Sequence, residues 1–177
     1  GKMSGYSVIG KPVHRVDGPA KVTGSAKYTF DIEFPNMLYG KILRSPYPHA
    51  TILNINTTKA KKLVGVKAVV TGKDTLGVKN GVWRRFPELC DEEILCRTKV
   101  GYIGDPVAAV AAIDEDIAEE ALDLIDVEYE MLPAVFDPLE AMKEDAPQIH
   151  EGVERNINVT RRIEWGDVSA DFKKCDF

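Results

Sequence analysis

Seven consecutive apolar residues, VAAVAAI at 107–113, constrain this chain more than any other stretch. The run is too short to span a bilayer and reads as a strand covered on both faces. Its four alanines keep it thin, so neighbouring elements can approach closely. Immediately afterwards Asp116 is positioned to cap a helix, with Glu119 three residues on in a capping-box arrangement. Ile117, Ala118, Ala121, Leu122 and Ile125 recur at helical spacing on one stripe. Asp123 and Asp126 oppose the helix dipole at its far end, so burial of that stripe has to hold the helix. A second strand at 127–131 ends at Leu132-Pro133. A buried strand, a helix and a strand thus follow one another over residues 100–133, and the preceding chain must supply their partners.

In chain order, residues 1–12 read as a flexible leader. Residues 13–31 alternate turn signals with short segments and lead into an edge strand at 26–30. A strand follows at 37–44, where Gly40 suggests a bulge or a close backbone approach. Pro46 and Pro48 interrupt it, and a further strand runs over 50–56 with Ile52 and Leu53 on opposite faces. Thr58 can cap a short helix through Leu63 that Gly65 closes. Residues 66–71, VKAVVT, form a β-branched strand ended by Gly72-Lys73-Asp74. No period persists over 75–96, which reads as a long loop serving a partner surface or substrate approach, with Val82, Trp83, Phe86 and Leu89 needing cover. Residues 134–155 are acidic and contain Pro138 and Pro147, as a surface linker would. Residues 156–165 alternate as a strand, and Asp167 can cap a final turn with Val168 and Phe172 facing inward. A strand and a short helix make no core, so 156–177 reads as the opening of a further domain.

The 177 residues suffice for one full core. A net charge of −5 argues against nucleic acid or anionic membrane as a partner. The N-terminal GKMSGYSVIGK lacks the apolar centre of a signal peptide, and a cytoplasmic location is expected. Cys90, Cys96 and Cys175 have no paired spacing, which speaks against a disulfide framework and against zinc or iron-sulfur ligation. His14, His49 and His150 are far apart and have structural or solvated roles. Gly101-Tyr102-Ile103-Gly104 precedes a strand, whereas phosphate-binding glycines follow one and open a helix, so this is turn chemistry. Glu119, Glu120 and Asp123 form a solvated helix face. The sequons at Asn56 and Asn158 are read as chance, and Ala141-Met142-Lys143 lacks the second methionine of a biotin-carrier motif. No residue is assigned a catalytic, cofactor-binding or metal-ligating role.

Five blocks in order then stand out: RVDGPAKVTGSAKYTFDIEFPNML, LRSPYPHATI, LVGVKAVVTGKD, VGYIGDPVAAVAA and IDVEYEMLPAVFDP. Together they resemble the N-terminal part of the molybdenum-binding large subunit of the xanthine dehydrogenase and aldehyde oxidase family. The resemblance implies an α+β fold, the α/β-hammerhead, with a mixed β-sheet and two or more helices over residues 13–133. NINVTRRIEWGDVSADFKKCDF is similar to the start of the molybdopterin-binding region, which would make 156–177 its truncated beginning. By the same resemblance the full-length enzyme hydroxylates a purine, another N-heterocycle, an aldehyde or an aromatic acyl-CoA-type substrate with oxygen from water. It would use molybdenum-molybdopterin, with [2Fe-2S] and FAD on partner domains or subunits. Its partners would be the molybdopterin-binding domain of the same chain and the iron-sulfur and FAD modules. The family's catalytic glutamate and pterin-holding residues would lie beyond Phe177, leaving this portion an inactive scaffold whose Trp83, Phe86 and Leu89 make contacts. A free-standing, non-catalytic binding or carrier module is the alternative.

Overall fold

The computed structural model describes residue 6, residues 8–81 and residues 90–176. The chain divides into two units, Gly1–Met37 and Leu38–Phe177. In the first, a short helix α1 (Gly18–Val22) has Pro19 in its first turn, and a 3-10 turn covers Thr29–Asp31. The edge strand expected at 26–30 is not formed. The Asp31 carboxylate accepts the Tyr28 amide at 2.9 Å, and the Ala26 amide donates to the Ala20 carbonyl at 2.9 Å. Local turns therefore take groups that a ladder would need.

The second unit is built on β7 (Pro106–Ala112), which corresponds to the apolar run. It is the middle strand of an antiparallel sheet between β1 (Tyr39–Arg44) and β3 (Val66–Thr71). Tyr39 and Val66 flank Ala112 in register, while Leu43 and Thr71 flank Ala108. Helix α2 (Thr58–Lys62) and helix α3 (Glu115–Asp123) contribute to the core beside this sheet. Ala60, Ala108 and Ala121 are fully buried there with Val69, Val110 and Ile125. Methyl groups at these contacts let helix and sheet backbones come close, which is why the run is alanine-rich. Gly40 is no bulge; the register shift in β1 falls between Leu43 and Arg44.

A second antiparallel sheet orders β6 (Lys99–Val100), β2 (Ala50–Asn56) and β8 (Asp126–Met131). Its inner face buries Ala50, Ile52 and Val100 against Val107 and Cys96. Val100 and Val107 are fully buried, each worth about 1.5–3 kcal/mol. Ile55 and Val127 pack against both clusters and join them into one core. The strands on either side of α3 thus belong to different sheets. As expected, Ile52 points inward and Leu53 outward.

Several local readings change. Helix α3 is capped by Asp114, not Asp116: the Asp114 carboxylate accepts the Asp116 and Ile117 amides at 2.8 and 3.3 Å. Asp114 has extended backbone, so the helix begins one residue before Asp116, and Glu119 instead lies 4.0 Å from Lys41. Helix α2 is served by the Asn56 side chain, which accepts the Thr58 amide at 3.0 Å. The segment after β3 is not wholly irregular, since β4 (Lys79–Asn80) and β5 (Glu92–Glu93) pair as a two-stranded ribbon. Trp83, Phe86 and Leu89 lie outside the described residues.

After β8 the chain forms α4 (Pro138–Ala141), capped by Asp137, and a 3-10 turn at Glu154–Asn156. Asn156 ties this stretch together. Its amide nitrogen donates to the Ala141 and Pro147 carbonyls at 2.9 Å, and its oxygen accepts the Ile149 amide at 2.9 Å. The strand expected at 156–165 is absent, because alternation stabilises a strand only beside a neighbour to pair with; Trp165 is 93% exposed. Asp167 does cap α5 (Val168–Phe172), accepting the Ala170 amide at 2.9 Å. Val168 and Phe172 nevertheless face outward.

Candidate functional site

The turn at 101–105 joins β6 to β7 and is held from three directions. The Gly101 amide donates to the Asp105 carboxylate at 2.8 Å, the Gly104 amide to the Ser45 carbonyl at 2.8 Å, and the Ser45 amide to the Asp105 carbonyl at 2.9 Å. Arg44 adds a hydrogen bond to the Gly104 carbonyl at 2.9 Å. Gly104 sits at φ +97°, where a side chain would strain the backbone. These bonds tie the segment to Arg44 and Ser45, and it is a turn, as the glycine order indicated.

Beside the turn opens a cleft of about 480 Å³. Asp91, Glu92, Glu93, Asp105 and Glu151 bring carboxylates to it, against the ammonium groups of Lys79 and Lys99. Three of the acids have donors: Asp105 as above, Glu93 from the Arg97 amide at 2.8 Å, and Asp91 from Asn158 at 3.3 Å. His150 stands at the rim, its Nε2 3.9 Å from Asp91. Burial pushes the Cys96 thiol well above its usual range, and neighbouring Asp105 adds to the effect. Such a thiol stays protonated and is a poor nucleophile. Tyr102 is raised too, first by burial and then by Asp105 and Glu92. A second groove, about 320 Å³, is lined by Pro48, Ile103, Ala134, Val135 and Phe136; Gly101, Tyr102 and Ile149 line both cavities.

His150 and Cys96 therefore share one cleft, whereas His49 is buried elsewhere beneath Pro133 and His14 is exposed. Cys90, Cys96 and Cys175 form no disulfide with one another. Glu119, Glu120 and Asp123 are exposed on α3, as the helical pattern indicated. Sequence reasoning did not anticipate the convergence of residues 91–93, 105 and 149–151. They lie on separate segments of the chain, and no spacing announces it.

The model of the aldehyde oxidase and xanthine dehydrogenase a/b hammerhead domain matches residues 23–133. The chain belongs to this family. Over 171 residues it is 46% identical to a probable xanthine dehydrogenase subunit of Bacillus subtilis, covering 96% of this chain and 22% of that protein. It is 40% identical over 176 residues to the nicotinate dehydrogenase large molybdopterin subunit of Eubacterium barkeri, covering 97% and 39%. The aldehyde oxidoreductase of Desulfovibrio gigas superposes with a TM-score of 0.70 at 35% identity, covering 78% of this chain and 16% of that one. The chain thus spans about a fifth to two fifths of the length of these curated relatives.

Membership in the family raises the question of molybdopterin. Among the described residues, no group of three or more His, Cys, Asp and Glu side chains is disposed to hold a metal ion. The cleft presents a surplus of carboxylates, which repel an anionic pterin dinucleotide. No helix among the described residues is long and apolar enough to cross a membrane.

Proposed function

We propose that this chain is the hammerhead portion of the molybdenum-binding subunit of a xanthine dehydrogenase-like molybdenum hydroxylase. The whole enzyme hydroxylates a purine, another N-heterocycle, an aldehyde or an aromatic acyl-CoA-type substrate, taking its oxygen from water. Residues 13–133 form the hammerhead after a leader at 1–12. Residues 134–155 connect it to a molybdopterin-binding domain that begins at 156. Molybdenum chemistry resides in that domain, electrons pass to [2Fe-2S] and FAD modules, and the role of residues 1–177 is scaffolding with no catalytic, cofactor-binding or metal-ligating side chain. Three cysteines outside any disulfide agree with a reducing compartment, and we assign the protein to the cytoplasm.

One observation carries the reading. Similarity to a molybdopterin subunit runs along nearly the whole of this chain, beyond both ends of the hammerhead match. The exposed side chains of Trp165 and Phe172 support it, since apolar groups on a short appended segment need a covering neighbour.

The test is to purify the product of the intact gene with its co-encoded partners. Molybdenum is measured by plasma mass spectrometry, and transfer of ¹⁸O from labelled water is followed into xanthine, nicotinate and aldehyde products. Molybdenum and label are expected in the native protein, and neither in residues 1–177 alone. A native protein without molybdenum and without hydroxylation, or a 177-residue chain that retains molybdopterin, overturns the proposal.

A further inference from the structure

Residues 147–158, across the expected boundary between the linker and the next domain, are braced on themselves and laid against the acidic cleft. Besides the three bonds of Asn156, the Gln148 side chain donates to the Val153 carbonyl at 3.2 Å, and the Val153 amide donates to the His150 carbonyl at 3.3 Å. Ile149 seats against Gly101, where an added Cβ would come within 3.2 Å of its Cγ2 methyl. Two side chains of this strap meet a single carboxylate. Asp91 Oδ2 accepts from the Asn158 side chain at 3.3 Å and stands 3.9 Å from His150 Nε2. Ile149, His150 and Glu151 thereby line the same cleft as residues 91–93.

The groups facing His150 across the cleft are Lys79 of β4, Asp91, Glu92 and Glu93 at β5, Lys99 of β6 and Asp105 of the turn, with Glu151 beside it on the strap. Five carboxylates against two ammonium groups make a negative surrounding, which attracts a cationic ring and leaves a neutral one unheld. Cys96 and Tyr102 also line the cleft, and both are raised, first by burial, so they stay neutral. Imidazoles as a class take up their proton around pH 6.5, whereas carboxylates and amines keep their charge near neutrality. We propose that residues 147–158 are a pH-responsive strap: with the His150 ring protonated, its pairing with Asp91 fastens the strap against the segment at 91–93, and with the ring neutral the strap loosens. The contribution of the pair is present below the imidazole range and is lost as pH rises through it. Both side chains are partly exposed, so screening by solvent holds the change in the opening equilibrium to about 1.5- to fivefold. The device is independent of whether the whole enzyme carries molybdenum.

The experiment is hydrogen–deuterium exchange of the intact gene product, read by mass spectrometry on peptides covering 147–158. Wild type is compared with His150→Gln at the same pH, so that the pH dependence of intrinsic exchange cancels. At about pH 5.5 the wild-type strap should exchange more slowly than the variant by about 1.5- to fivefold, and at about pH 8 the two should coincide. Asp91→Asn keeps an oxygen for Asn158 and removes the charge. In that background His150→Gln should have no effect at either pH. Slowing of equal size at both pH values, slowing that survives in the Asp91→Asn background, or no difference at any pH overturns the proposal. The last outcome includes a strap that the remainder of the protein holds permanently.

Discussion

His49 donates from Nδ1 to the Pro133 carbonyl at 2.6 Å, joining the residue before β2 to the residue two beyond β8. A carbonyl can only accept, so Nδ1 carries the proton. In the neutral ring Nε2 is then an acceptor, and it is buried without a partner among the described residues. The Leu132 amide also donates to the His49 carbonyl at 2.9 Å, so this one residue extends the pairing past the end of β8. His49→Phe removes the bond and the unsatisfied nitrogen together, opposing effects that leave a net change below about 1.5 kcal/mol. His49→Ala leaves a cavity and costs about 2–5 kcal/mol. Urea melts of the two variants distinguish a packing role from a polar one.

Gly72 abuts the backbone at Cys96. A Cβ there would lie 2.7 Å from the Cys96 carbonyl carbon and 2.8 Å from the Arg97 Cα. Backbone cannot swing aside as a side chain can. Gly72→Ala is expected to destabilise by about 1–3 kcal/mol or more, read as a lowered melting temperature with near-normal secondary structure.

Asp114→Ala removes the acceptor for the Asp116 and Ile117 amides and should cost about 1 kcal/mol. Asp116→Ala, which removes no cap, should cost less. Equilibrium denaturation of the pair checks which aspartate starts α3.

Asp74 accepts from the Thr71 amide at 2.7 Å and from the Thr71 hydroxyl at 3.0 Å, and these bonds hold its carboxyl below the ordinary carboxylate range. A depressed folded-state pKa stabilises above the unfolded value, near 4, and the contribution fades as pH falls through the lower folded value. Wild type should therefore melt above Asp74→Ala at pH 7, and the gap should close progressively below about pH 4. A gap that stays constant from pH 7 to pH 2.5 contradicts the assignment.

Asn156 adopts φ +55° while its side chain satisfies three backbone groups. Asn156→Gly keeps the conformation and loses the bonds, whereas Asn156→Ala loses both. Limited proteolysis should cut residues 137–156 faster in both variants, Ala more than Gly, with fragments located by mass spectrometry.

The run at 107–113, the apolar stripe of α3 and the β-branched VKAVVT were legible because one dimension suffices for them. Periodicity follows from which faces are buried, and caps and turns follow from neighbours two to four residues away. Even there the choice between Asp114 and Asp116 depended on where the backbone leaves the extended conformation. Similarity of ordered blocks likewise carried the family, since it is itself a property of the linear text.

Tertiary structure alone decided the rest. Residues 156–165 alternate as a strand should, yet among the described residues no strand pairs with them. Gly72 reads as a strand end until Cys96 is brought against it. His49 gains its meaning only from Pro133, 84 residues away. The acidic cleft gathers segments at 91–93, 105 and 149–151. Hydrogen bonds and charges act over a few ångströms of space, and chain separation does not encode that distance.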